Sequence, residues 1–259
     1  VDAYRGKGPN DDAAFWAAAT PGDVAYLEYI HPRGKRDVQL EIDVISHFYR
    51  DPGFLPPQAQ PNVPEDPEGL LACHQSVMCH EVDVAGRDAV GLMIFDGGFL
   101  CSGALLNDVD ANTFAGYFLT ANHCISTQSS ANSLTVYWFY QPGTCGGAVP
   151  PLSLRPKSIG AKLLATSSLS DFSFLRFNND PEDGQGFAAW TTAIPASSGA
   201  AVQGIHHPGG SWKRFSSGLT TTASPICGTL PTSRFVYNDW SLGITEGGSS
   251  GSPLFNASW

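Results

Sequence analysis

An all-β architecture is what this 259-residue sequence predicts, and three observations carry it. Glycine and proline are abundant, at 28 and 19 residues, while only 15% of residues are charged, a composition that favours short strands and tight turns over helices. After residue 88 the apolar runs AVGLMIF, GFLCSGALL, AGYFLT, LTVYWFY, DFSFLRF, AAVQGIHH and SRFVYN recur between turn signals, the spacing of a sandwich or barrel. No long amphipathic helix pattern competes with them.

Taken in chain order, residues 1–50 hold a β segment. In VQLEIDV, Val38, Leu40, Ile42 and Val44 alternate with polar residues, which predicts a strand with one buried face. The run DVAYLEYI before it and the exposed turn HPRGKRD between them complete a predicted hairpin. Residues 51–69, DPGFLPPQAQPNVPEDPEG, hold six prolines and read as a linker, because proline removes backbone donors and restricts its neighbours. Residues 70–259 carry every cysteine and every chemical motif.

The charge balance excludes some functions. With 14 Lys and Arg against 24 Asp and Glu, a net charge of −10, a broad phosphate-binding surface is not expected, so nucleic acid is set aside as a partner. No run of 18 apolar residues predicts a membrane span, and VDAYRGKGPNDD lacks the basic-then-apolar pattern of a signal peptide, so the chain is expected to be soluble with any signal removed. Cys73, Cys79, Cys101, Cys124, Cys145 and Cys227 are too widely spaced for a zinc ribbon, and disulfides read better. That implies an oxidising compartment and a secreted protein, extracellular or periplasmic, of bacterial type. A metal nest of Cys73, His74, Cys79 and His80 is the weaker reading, since adjacent Cys-His pairs rarely point at one ion.

Three motifs carry chemistry. In YFLTANHC a strand runs into a small-residue turn bearing His123 and then Cys124. If Cys124 bonds Cys101, a loop of about 24 residues closes, with a stabilisation on the order of 3 kcal/mol, and the backbone of a general base is fixed. In SLSDFSFLRF, Asp171 opens an apolar strand, where a carboxylate needs a partner such as an imidazole N–H; a turn cap is the plainer role. In GGSSGSP, glycines around serines let two backbone N–H groups converge, as an oxyanion hole requires, although a flexible turn has the same composition.

Here a resemblance enters. TANHC resembles the TAAHC of chymotrypsin-like serine proteases, DFSFLRF their DxxLL strand and GSSGSP their GDSGGP, and His, Asp, Ser is the chymotrypsin order. Over about residues 70–259, CHQSVMC, CSGALLND, YFLTANHC, TVYWFYQPGTC, SDFSFLRFNN, GIHHPGGSWKRFS and ITEGGSSGSPLF resemble segments of bacterial lysyl endopeptidases. The resemblance implies two six-stranded antiparallel β-barrels of the chymotrypsin fold with the active site between them. It implies His123, Asp171 and Ser250 as the catalytic triad, the N–H groups of Gly248 and Ser250 as the oxyanion hole, and disulfides Cys101–Cys124 and Cys79–Cys145. Protein or peptide substrates follow, with no cofactor and no metal.

The departures from the family pattern are also informative. Ser249 replaces the Asp that would pair with a freed N-terminal amine, so trypsin-style activation is not expected, and residues 1–69 resemble the end of a propeptide or an accessory domain. Ile244 occupies the position of the trypsin pocket acid, and the family's own pocket Asp would fall beyond Trp259. Lysine preference at P1 is therefore implied by resemblance alone. The family partner of Cys73 follows the catalytic serine, where this chain has no cysteine; Cys227 is a local alternative. The second barrel is thus expected to be incomplete in this chain, with a second polypeptide as one source of the remainder. Glu246 is expected to order the nucleophile loop, His206 and His207 to make structural hydrogen bonds, and Asp108 and Asp110 to lie in an exposed turn. The rival readings are a catalytically silent zymogen or pseudoprotease acting as a binding module, and an esterase using the same triad.

Overall fold

In a computed structural model of the chain the described residues are 7–8, 10, 13–20, 24–30, 40–46, 73–110, 113–181, 184–222 and 234–256. The first elements are a two-residue strand β1 (Gln75–Ser76), a 3-10 turn at Val77–Cys79, and a helix α1 (Val84–Ala89). Asp83 caps α1 by accepting the Gly86 N–H at 2.7 Å, satisfying one of the open donors of its first turn. Then come β2 (Val90–Phe95), β3 (Phe99–Leu105), β4 (Tyr117–Thr120), a helix α2 (Gln128–Ser133), β5 (Thr135–Tyr137), β6 (Lys157–Ile159), β7 (Ala161–Ser167) and β8 (Phe172–Phe177). The chain ends with β9 (Ala201–His206), β10 (Arg214–Thr221), β11 (Tyr237–Leu242) and β12 (Leu254–Asn256).

The larger sheet has the order β6-β5-β2-β3-β4-β8-β7, with antiparallel pairing throughout. Its two edge strands, β6 and β7, adjoin in sequence across Gly160 alone. The φ of +66° at Gly160 bends one strand into two, in a backbone region that L side chains rarely enter. Its N–H donates to Leu134 O at 2.7 Å and its carbonyl accepts the Asn178 N–H at 3.2 Å, so the bend stays tied to both neighbours. With β6 and β7 as halves of one strand, the seven-stranded order becomes six strands closed on themselves, as expected for a barrel without edges.

The second sheet has the order β1-β10-β9-β12, with β11 also paired to β10. It holds five strands among the described residues, where a complete barrel of the expected fold has six. Trp138 is fully buried and meets Phe118 and Phe177 edge-on at 6.0 and 5.9 Å, pairs that contribute about 0.5–1.5 kcal/mol each beyond burial. The same apolar cluster continues into Ile205, Phe215 and Phe255 of the second sheet, so one core joins the two units.

Disulfides link Cys79 to Cys145 and Cys101 to Cys124. Cys73 carries an exposed free thiol, and Cys227 lies outside the described residues.

The N-terminal hairpin is where expectation and structure differ. Residues 24–30 and 40–46 form no strand, and Leu40, Ile42 and Val44, the face expected to be buried, are exposed; Val38, the turn HPRGKRD and the linker lie outside the described residues. Alternation alone does not make a strand, because an isolated pair has no second layer to cover its apolar face.

Candidate active site

His123 and Asp171 lie far apart in sequence, and sheet register brings them together. Strand β4 pairs antiparallel with β8, with Thr120 opposite Ser173. His123 follows the end of β4 and Asp171 precedes the start of β8, so both emerge at the same edge. Asp171 has φ of +50°, a conformation that Asp tolerates better than bulky residues do. Both of its carboxylate oxygens are directed at His123: Oδ1 accepts the His123 backbone N–H at 2.9 Å and Oδ2 lies 2.7 Å from Nδ1. The Asp171 carboxylate, an acceptor, selects the tautomer with the proton on Nδ1 and leaves Nε2 as the basic nitrogen.

A polar set running from the surface to the buried Ser173 supports this turn. Asn122 donates to Thr166 Oγ1 at 2.7 Å, Thr166 meets Ser173 Oγ at 2.6 Å, and Ser173 also donates to the Ile125 carbonyl. These three side chains were not singled out from the sequence; the signal was a serine standing inside the apolar alternation of DFSFLRF.

The serine loop of residues 246–252 is docked against the first barrel through Ser102, the neighbour of Cys101. Ser250 O accepts the Ser102 N–H at 2.8 Å, and Gly248 O accepts the Ser102 hydroxyl at 2.9 Å. The same hydroxyl accepts the His207 N–H at 2.9 Å. A continuous connection therefore runs from Ser250 through Ser102 and the Cys101–Cys124 disulfide to His123. The two sulfurs lie within 4.8 Å of a His123 ring nitrogen, but they are bonded to each other and offer no thiolate to a metal. Among the described residues neither the Gly248 N–H nor the Ser250 N–H donates a hydrogen bond, and Ser250 Oγ and His123 Nε2 do not pair.

The three serines of the loop are in different environments. Ser249 is buried: its N–H donates to Glu246 O at 3.0 Å, its hydroxyl accepts the Glu246 N–H at 3.2 Å, and it pairs with His206 Nδ1 at 2.8 Å. Ser252 donates its N–H to Ser249 O at 3.1 Å. Ser250 retains partial exposure. His206 and His207 are both fully buried, and His207 Nδ1 donates to Ser211 O at 2.9 Å.

Burial, with His74 and Arg214 adding to it, pushes His206 down to about 3, and burial holds His207 low as well. An unfolded imidazole takes up its proton near about 6.5, so between that pH and about 3 the unfolded chain binds more protons than the native one. Stability contributed by neutral His206 is thus complete above pH 6.5 and is lost as the pH falls toward 3. His206→Gln, which retains a partner for Ser249 and does not titrate, is expected to lose less urea-midpoint stability between pH 6.5 and 4 than the parent chain; equal slopes would refute it.

Comparison with known proteins gives the family. Residues 71–259 match the model of the lysyl endopeptidase C-terminal domain. The chain is 29% identical over 267 residues to a lysyl endopeptidase of Pseudomonas aeruginosa, covering 96% of this chain and 55% of that protein. It is 30% identical over 173 residues to the secreted RxLR effector protein 73 of Plasmopara viticola, covering 62% of this chain and 39% of that one. The chain spans about half the length of these relatives, or less. Among solved structures, Deg5 superposes with a TM-score of 0.44 at 13% identity, over 66% of this chain and 76% of that one. With the match extending over residues 71–259, the whole of both sheets, the chain belongs to the lysyl endopeptidase family through its C-terminal domain.

Proposed function

We propose that the chain is a secreted serine endopeptidase that cleaves after lysine through His123, Asp171 and Ser250. The observation that carries this reading is the use of both Asp171 oxygens on His123, at the barrel edge tied through Ser102 to the loop that presents Ser250. His123 Nε2 removes the Ser250 proton as Oγ attacks the scissile carbonyl. Asp171 orients the imidazole and stabilises the imidazolium. The Gly248 and Ser250 N–H groups, neither of which donates elsewhere among the described residues, receive the developing oxyanion. The imidazolium then protonates the leaving amine, and water, activated by His123, releases the acyl-enzyme.

The unmade Ser250–His123 hydrogen bond favours one competing reading, a silent binding module. Such contacts are often long without substrate and tighten when it binds, so the triad reading accommodates it. Secretion is supported by two disulfides, and lysine preference by the name of the Pseudomonas relative; no helix among the described residues is long and apolar enough to cross a membrane.

Incubation with a biotinylated fluorophosphonate should place one adduct on Ser250, and a peptide library should be cut after lysine. An intact, folded chain without an adduct would establish the silent module. Cleavage without lysine preference would remove that part alone.

A further inference from the structure

The nucleophile loop is held from below by two histidines, one at the end of a strand and one just before another, and only one of them contacts it through a serine. His206, at the end of β9, pairs with Ser249. His74, immediately before β1, places Nε2 3.4 Å from Glu246 Oε1, with its side chain fully buried and that of Glu246 22% exposed. The two rings lie 6.0 Å apart, and Arg214, opposite Ser76 in the β1–β10 pairing, also acts on His206. Among the described residues, Glu246 and His206 face His74, and Arg214 acts on the same His206.

We propose that His74 is a positioning residue for the reaction, orienting Glu246 and through it the turn that aims the Gly248 and Ser250 N–H groups. The main chain of Glu246 makes two of the hydrogen bonds that shape this turn, to the N–H and to the hydroxyl of Ser249; Gly247 O accepts the Gly209 N–H and Gly248 O the Ser102 hydroxyl. Between Glu246 and Ser249 stand only Gly247 and Gly248, which have no side chains and, among the described residues, are held through their carbonyls alone. A loop of that composition loses much entropy on ordering, and its donor geometry depends on whatever fixes its ends. Ser249 cannot supply the carboxylate that would meet an N-terminal amine; the contact of the His74 imidazole with the Glu246 carboxylate ties the loop to the start of the domain instead.

The inference rests on the protease reading. The test uses the bimolecular rate of Ser250 phosphonylation by the same fluorophosphonate at pH 7.5. His74→Asn and Glu246→Gln are each expected to slow it about tenfold or more while thermal transitions stay close to the parent's. The double variant should be no slower than either single one, because coupled positions are non-additive. By imidazole NMR, His74 should titrate at lower pH in Glu246→Gln, since the carboxylate favours the imidazolium. That shift reports the contact itself; a merely structural role would lower the thermal transitions and leave the phosphonylation rates near the parent's. Where His74→Asn does not fold, Glu246→Gln carries the same test. Parent-like rates in the variants, or additive effects, overturn the inference alone; a parent chain that takes no adduct overturns the protease reading and this inference with it.

Discussion

Ser250→Ala is expected to lower kcat on a peptide substrate about a millionfold while leaving the thermal transition within a few degrees of the parent's. The hydroxyl is partly exposed and makes no hydrogen bond among the described residues, so its loss breaks nothing in the fold. In the proposed mechanism it removes the atom that forms the acyl-enzyme. His123→Ala should cost about as much, and the double variant little more, because nucleophile and base act as a unit. Ser249→Ala is the control that separates the neighbouring serines. That hydroxyl is buried between His206 and the Glu246 N–H, so its removal should appear mainly as lost stability. Single-turnover kinetics on purified variants decide the matter: a Ser250→Ala chain that retains more than a tenth of parental activity would exclude Ser250 as nucleophile.

Gly251→Ala is expected to destabilise the chain by about 2–5 kcal/mol and to abolish Ser250 labelling, although Gly251 takes no chemical part. Its φ is +80°, where a Cβ is disfavoured. That Cβ would also meet Thr120 Oγ1, and would lie 2.5 Å from Ser102 O and 2.8 Å from Ala121 N. Two of these are main-chain atoms at the barrel edge that carries His123, so relief requires the nucleophile loop to retreat from the base. The bond from the Ser102 N–H to Ser250 O would be the first to lengthen. Urea unfolding and fluorophosphonate labelling measure the two effects; a fully stable Gly251→Ala chain would show that the loop does not need this close approach.

How much was legible beforehand differs from element to element. The apolar runs that became β2, β3, β4, β5, β8 and β9 are short, rich in β-branched and aromatic residues, and bounded by turn signals, so local pattern sufficed; SRFVYN reaches only the first residues of β11, and β10 was not read as a strand at all. The same reasoning failed at Leu40, Ile42 and Val44, where alternation had no covering layer. It also missed that β6 and β7 are one strand bent at Gly160, because closure depends on which distant strands each half meets. His74 was read as part of a weak metal motif; its contact with Glu246, 172 positions later, has no local signature.

Residue types in order determined the all-β class, the chemistry of a His, Asp and Ser set, and the expectation that cysteines would pair, since each follows from short-range pattern and the reactivity of side chains. Only the tertiary structure decided that Thr120 faces Ser173, and hence that Asp171 can direct both oxygens at His123. It likewise decided that Ser102 tethers the loop of Ser250 and that His206 and His74 lie beneath it. These are contacts between residues far apart in sequence, set by strand register and core packing, and no local preference encodes them.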